Sequence, residues 1–213
     1  MTTSKTVPTA GVEPRGNLSR KEQILAAAHR HFLRDGFHDT SLDDIIKQSG
    51  GSKSAIYQYF KNKEELFAAV VEGVVSGIIK RTFDPAEPGE GMRQHLERVA
   101  FTYLAGILHP DTLSSLRQSM TFYSAIPTIP GHYYEHGLAV ATDKLAALLE
   151  ETDEIVLPEG ESYKDAAGAF LAMIRGNLHL RALLDPNYHP EAHEIRDQCA
   201  FGVRHFMHCY GVA

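Results

Sequence analysis

The sequence predicts an all-α protein of about nine helices: a three-helix head, a long fourth helix, and a helical body. Three observations lead there. Apolar residues recur at three- and four-residue spacing through most of the chain. Pro110, Pro127, Pro130, Pro158 and Pro186 fall between those periodic segments, where proline belongs. No strand-like alternation of any length and no internal repeat interrupts the pattern.

Length and composition narrow the class further. A chain of 213 residues can bury a proper core in one or two modest domains. With 43% apolar and 23% charged residues it is composed as a globular protein. No apolar run approaches the roughly 20 residues a bilayer-spanning helix needs. Residues 1–18, rich in Thr, Pro and Gly, lack the apolar core of a secretory signal and read as a disordered tail. Cys199 and Cys209, ten residues apart on one helix, would be separated by roughly 15 Å along its axis, too far for a disulfide. A reduced, cytoplasmic compartment is expected.

The elements follow in order. Ser19 opens the first helix, and Glu22 three residues later completes a capping box. Ile24, Ala27, Ala28 and Phe32 recur at helical spacing, Gly36 stops the helix, and Phe37 plugs the core of the head. Thr40 or Ser41 can cap a second helix with Asp43 and Asp44 in its first turn, where the helix dipole favours carboxylates. Leu42, Ile45 and Ile46 give that helix its apolar face. A Gly50-Gly51 turn follows, and Ser52 can cap a short helix over residues 53–60. Ile56 and Phe60, four apart, point inward together. Lys53, Ser54, Tyr57 and Tyr59 are left outside, and two tyrosines on an outer face imply that the face meets something. Capped helix, glycine turn and reactive short helix describe a helix-turn-helix.

The fourth helix, over residues 63–83, carries a wide stripe of Phe67, Val70, Val71, Val74, Val75, Ile78 and Ile79. It is longer than the head needs, so it is expected to join head to body. Residues 84–91 break the chain. Body helices are expected over residues 92–108, 112–124, 130–151, 163–184 and 190–210. The resulting division is a tail (1–18), a head (19–67) and a body (68–213). Charge divides along the same line. Residues 1–67 hold ten Lys/Arg against eight Asp/Glu, and residues 68–213 hold eleven against nineteen, so a head of +2 sits on a body of −8 within the total of −6. That asymmetry fits a DNA-contacting head, with phosphate contacts coming from local placement rather than bulk charge.

The Thr40-Ser41-Leu42 opening, Asp44-Ile45, the turn Gly50-x-Ser52-Lys53, Ile56-Tyr57-x-Tyr59-Phe60 and Asn62-Lys63-Glu64-Glu65-Leu66 carry a resemblance. Together they resemble the amino-terminal DNA-binding domain of TetR-family transcriptional regulators, over about the first third of the chain. Gly51 departs from that family's pattern, which has an apolar, often β-branched residue there. In the body, Leu116-Arg117-Gln118, Phe122-Tyr123, Ile129-Pro130-x-x-Tyr133-Tyr134-Glu135-x-Gly137 and Gly176-x-Leu178-His179-Leu180-Arg181-Ala182-Leu183-Leu184 are similar to the carboxy-terminal domain of the AefR-like subgroup.

The resemblance implies a homodimeric transcriptional regulator, most often a repressor, released from DNA by a small-molecule effector. It implies a palindrome-like operator whose half-sites lie about one helical turn, or a multiple, apart. Within the short helix, Lys53, Ser54, Ala55 and Gln58 suit base edges: lysine donates to guanine, glutamine pairs with adenine, alanine touches the thymine methyl. Thr40, Tyr57, Tyr59 and Lys63 suit phosphates, which set register, and Ser52 joins the DNA-contacting set at the helix start. Arg20 and Lys21 can graze phosphate as well.

The last two helices are apolar around most of their circumference, so they are buried on two sides. The second side is expected to be another copy of the chain, through Phe170, Ile174, Leu178, Val203, Phe206, Met207 and Tyr210. Tyr103, Met120, Tyr123, Tyr134, Met173, Asn177 and Arg181 can line an apolar effector pocket holding a few polar groups. Arg175 and Arg181, on a mostly buried helix, need either a carboxylate partner or an anionic ligand.

Other chemistries find less footing. The pairs His132/His136 and His189/His193, and the set His205/His208/Cys209, have spacings that can place two ligands on one helix face. They leave open an alternative reading as a metal- or thiol-responsive sensor, although no recognised metal motif completes any of them. No cofactor is expected. Motifs for a nucleophile elbow, a phosphate-cradling glycine loop, a dinucleotide fold or a zinc protease are absent, so no catalytic residues are assigned.

Overall fold

A computed structural model of the chain describes residues 18–50, 52–85, 89–121 and 129–211. The expected tail, Gly51 and Tyr123 lie outside the described residues. The all-α expectation is met, and the described residues contain no strand, only one antiparallel bridge between Ile155 and Gly211. The helices are α1 (Arg20–Asp39), α2 (Leu42–Ser49), α3 (Lys53–Tyr57), α4 (Lys63–Thr82), α5 (Met92–Ile107), α6 (Pro110–Thr121), α7 (Ile129–Tyr133), α8 (Ala139–Glu150), α9 (Tyr163–Leu184) and α10 (Ala192–Tyr210). A π-helical turn, Tyr134–Leu138, joins α7 to α8 without a break. Pro110 does not separate helices but opens α6, where its missing N–H and fixed φ cost nothing.

Local chemistry sets the boundaries of the head. Ser19 Oγ accepts from the Glu22 amide at 3.3 Å while Glu22 Oε2 accepts from the Ser19 amide at 2.7 Å, a reciprocal capping box. Gly36, at φ 80°, interrupts α1 with a conformation that side chains resist. The reversal turns Phe37 back onto Phe32 and Phe67, with ring centroids 5.9 and 5.2 Å away. Ser41 Oγ caps α2 by accepting from the Asp44 amide at 3.1 Å. Thr40 does something else: its hydroxyl donates to the Gly36 carbonyl at 2.7 Å and closes the α1–α2 corner. Asn62 caps α4 by accepting from the Glu65 amide at 2.7 Å.

Two hydrophobic cores form, and α4 belongs to both. Leu66, Phe67, Val70, Val71 and Val75 pack with Ile24, Phe32, Ile45, Ile56 and Phe60. One turn further on, Ile79 packs with Leu96, Leu104, Leu145, Phe170 and Phe206 in the body. The body seats α4 closely: a Cβ at Gly106 of α5 would come within 2.8 Å of Ile78, and one at Gly137 in the π turn within 3.0 Å of Val75. A second tie runs from α6, where Gln118 Nε2 donates to the Phe32 carbonyl of α1 at 3.1 Å.

In α9 the backbone departs from helix at Gly176, with φ 45° and ψ −143°. Gln198 of α10 meets the break, its Nε2 donating to the Met173 carbonyl at 2.7 Å. The structure also corrects the expected subunit contact. Phe170, Ile174, Val203, Phe206 and Tyr210 are buried inside this chain's own core, and Leu178 and Met207 pack partly against it. Helical periodicity marks those faces as apolar but cannot say which neighbour covers them. The outward faces of α9 and α10 carry different residues, among them Leu180, Leu184 and Phe201, which are 56%, 73% and 47% exposed.

Candidate nucleic-acid interface

The face of interest begins at α3. Ile56 and Phe60 are buried in the head core, and this fixes the rotation of the short helix. Ser52, Lys53, Ser54, Tyr57, Gln58 and Tyr59 are therefore exposed, with Ala55 half-buried between them. Tyr57 is 53% exposed, so it does not serve the core. Ser52 stands at the N-cap but makes no side-chain capping bond. The outer face therefore offers an ammonium, two hydroxyls, an amide and two phenols, groups suited to base edges and phosphates.

Two expected contacts have other duties. Thr40 is 2% exposed, and its hydroxyl is spent on Gly36, so its side chain is not available to a phosphate. Lys63 Nζ donates to the Thr40 carbonyl at 2.7 Å and the His38 carbonyl at 3.1 Å, and lies 4.6 Å from the Phe37 ring centroid. Burial at that corner lowers its pKa from the usual lysine value. Lys63 thus locks the start of α4 to the α1–α2 corner. Arg20 is also committed, Nη1 donating to the Ser49 carbonyl at 2.6 Å at the end of α2. Sequence spacing could not show the Lys63 and Arg20 contacts, because each joins a side chain to a backbone carbonyl far away along the chain.

Lys53 carries the least expected contact. Its Nζ lies 2.9 Å from Oδ1 and 3.0 Å from Oδ2 of Asp43 in α2, and that bond raises the lysine's pKa.

The body does not gather the expected effector residues into one pocket. Tyr103 is buried, whereas Met120 and Tyr134 are 54% and 63% exposed. Asn177 is exposed, and Arg181 stacks 3.7 Å above the Tyr188 ring at the surface. Met173 is half-buried. Arg175 is half-buried too, donating Nε to the Leu171 carbonyl at 3.2 Å, and no carboxylate pairs with it among the described residues. A cavity of about 560 Å³ does open where α4 ends, lined by Phe83, Met92, His95, Leu148 and Glu151 among others, and none of the expected effector residues reaches it.

The histidine-rich carboxy-terminal end is similarly dispersed. Among the described residues no three His, Cys, Asp or Glu side chains converge as metal ligands. His205 stacks on Phe201 with its Nδ1 2.8 Å from the Phe201 carbonyl. Cys199 is buried, which pushes its thiol up to about 12, while Cys209 is exposed.

Comparison with known proteins closes the question of kinship. Residues 24–70 match the model of bacterial regulatory proteins of the tetR family. Residues 94–212, more than half of the chain, match the carboxy-terminal domain of AefR-like transcriptional repressors. The chain belongs to the TetR family. As a TetR-family protein it is a DNA-binding transcriptional regulator.

Among curated relatives, the regulator YhgD of Bacillus subtilis (strain 168) is 31% identical over 88 residues, covering 41% of this chain and 46% of that protein. The transcriptional activator FasR of Mycolicibacterium smegmatis is 31% identical over 104 residues, covering 47% and 48%. The chain thus spans less than half the length of these relatives. Among solved structures, a TetR-family regulator from Mesorhizobium loti MAFF303099 superposes with a TM-score of 0.75 at 21% identity, covering 91% of this chain and 97% of that one. The flavonoid-responsive regulator FrrA superposes with a TM-score of 0.71 at 26% identity, covering 90% and 97%. No helix among the described residues is long and apolar enough to cross a membrane.

Proposed function

We propose that this TetR-family regulator is a homodimeric repressor that sets α3 of each copy into the major groove of a palindromic operator and leaves it when a small molecule binds the body. The sidedness of α3 carries the reading. Two buried anchors hold the helix, and apart from half-buried Ala55 its remaining surface is polar or aromatic and exposed. Lys53, Ser54, Ala55 and Gln58 would meet base edges, while Ser52, Tyr57 and Tyr59 would meet the backbone. Thr40 and Lys63 serve indirectly, by holding the corner on which α2 and α4 rest.

The test starts from genomic fragments selected on the purified protein. On the fragment retained best, Lys53→Ala with Gln58→Ala should weaken binding by about 10–100-fold while the melting curve stays that of the parent. Unchanged retention would remove α3 from the interface.

The outward faces of α9 and α10 support the dimer. Ala172, Leu180 and Leu184 are exposed on α9, the last two one turn apart, and Ala200 and Phe201 are exposed on α10. We expect Leu180→Glu with Phe201→Glu to sediment as a monomer, because unpaired carboxylates would enter the seam. A double variant sedimenting like the parent would place the dimer contact elsewhere.

Repression is supported by the match to the carboxy-terminal domain of AefR-like transcriptional repressors, while FasR, matched over 47% of this chain, is named as an activator. FrrA, named for its response to flavonoids, supports a small-molecule effector. Buried Tyr103 and the carboxylate-free Arg175 would favour an effector bearing an acidic or phenolic group. Compounds screened for release of the selected fragment test this: if only cations released it, this assignment would fail.

A further inference from the structure

We propose that Asp43 competes with DNA for Lys53, so that any duplex must displace a carboxylate before it gains the lysine's charge. The inference rests on the reading of α3 as the DNA-contacting helix and concerns how strongly that helix can bind.

The arrangement is specific. Lys53 is the first residue of α3 and Asp43 the second of α2, and Nζ lies 2.9 and 3.0 Å from the two carboxylate oxygens. Both side chains stand more than half exposed, at 56% and 60%, on the side of the head where α3 turns outward. The neighbouring carboxylate has a different task. Asp44 supplies the amide that Ser41 caps, accepts from the Ser41 hydroxyl at 2.6 Å and faces Lys47 at 3.5 Å. Asp43 takes no part in that cap.

Charge then gives the pair its weight. The first 67 residues are only +2, and two further lysines of the head are engaged elsewhere. Lys63 is bound to backbone carbonyls and Lys47 to Asp44. A lysine that neutralises a phosphate releases one condensed counterion and adds about 0.9 to the slope of log affinity against log salt. A lysine that already carries its own carboxylate adds nothing while that pair stays closed. When the pair opens, Asp43 is left beside a polyanion. Lys53 therefore contributes to sequence-independent binding far less than an unpaired lysine would.

The experiment measures binding to a random-sequence duplex across a salt series for four proteins: the parent, Asp43→Asn, Lys53→Ala, and both together. Asp43→Asn should tighten binding about fivefold at low salt, the upper range for freeing a surface ion pair, and steepen the salt slope by about 0.9. Lys53→Ala, which leaves Asp43 unpaired beside the phosphates, should weaken binding slightly without changing the slope. In the Lys53→Ala background, Asp43→Asn should recover only that small loss and give no steeper slope. An equal gain in both backgrounds would show that Asp43 acts only as a negative charge near DNA, and an unchanged slope would show that Lys53 is not released; either overturns the proposal. Failure of the parent to hold any duplex at low salt would instead strike the DNA-binding reading of α3.

Discussion

Phe67→Ala should cost about 3–5 kcal/mol, the range for emptying a packed aromatic site, and should take DNA binding with it. Phe67 is 1% exposed and meets Phe32 edge-on at 5.0 Å and Phe37 at 5.2 Å. With Lys63, it is a residue through which α4 holds the corner after Gly36. Against the roughly 5–15 kcal/mol that keeps a domain folded, such a loss is a large fraction. Denaturant midpoints for parent and variant give the measurement. A shift worth less than about 1 kcal/mol would mean that Phe32 and Phe37 close over the gap.

Gly176→Ala should be the most damaging change outside that cluster. At φ 45° and ψ −143° any side chain is strained, by about 1–3 kcal/mol. The added Cβ would also lie 2.6 Å from Gln198 Nε2, whose displacement leaves the Met173 carbonyl unpaired. An orphaned, part-buried acceptor costs up to about a further 1 kcal/mol. The two parts separate experimentally. Gln198→Ala alone loses the hydrogen bond, and Gly176→Ala made in that background should then cost only the backbone part. Equal costs in the two backgrounds would show that Gln198 yields without penalty.

The head was legible because its signals are local. Ser19 and Glu22 stand three apart, Ile56 and Phe60 four apart, and Gly36 is followed at once by an aromatic plug; each spacing has one helical meaning. The misplaced residues depend on contacts between elements. Asp43 and Lys53 are ten apart in sequence and adjacent only because α2 and α3 cross. Lys63 reads as a free cation until the corner carbonyls of His38 and Thr40 are in place. In α9 and α10, apolar residues on all sides announce burial without naming the cover, so the pattern alone points Phe170, Val203 and Phe206 to a partner, whereas this chain's own core covers them. The Gly176 break was hidden for the converse reason. A glycine among alanines reads as small packing, and only the backbone angles show that it is a hinge in the helix.

The sharing of α4 between two cores has a mechanical consequence. Twenty residues of helix form a rod about 30 Å long, gripped near one end by Gly106 and Gly137 and at the other by the aromatic cluster. The arm from the grip at Val75 and Ile78 to the start of the helix is roughly 20 Å, so a tilt of about 5° there sweeps Lys63 through about 1.7 Å. Hydrogen bonds are made over a window of only about 0.5 Å in length. A displacement too small to disturb either core is thus magnified at the head beyond the tolerance of a hydrogen bond, and the stiffness of a single helix sets the gain.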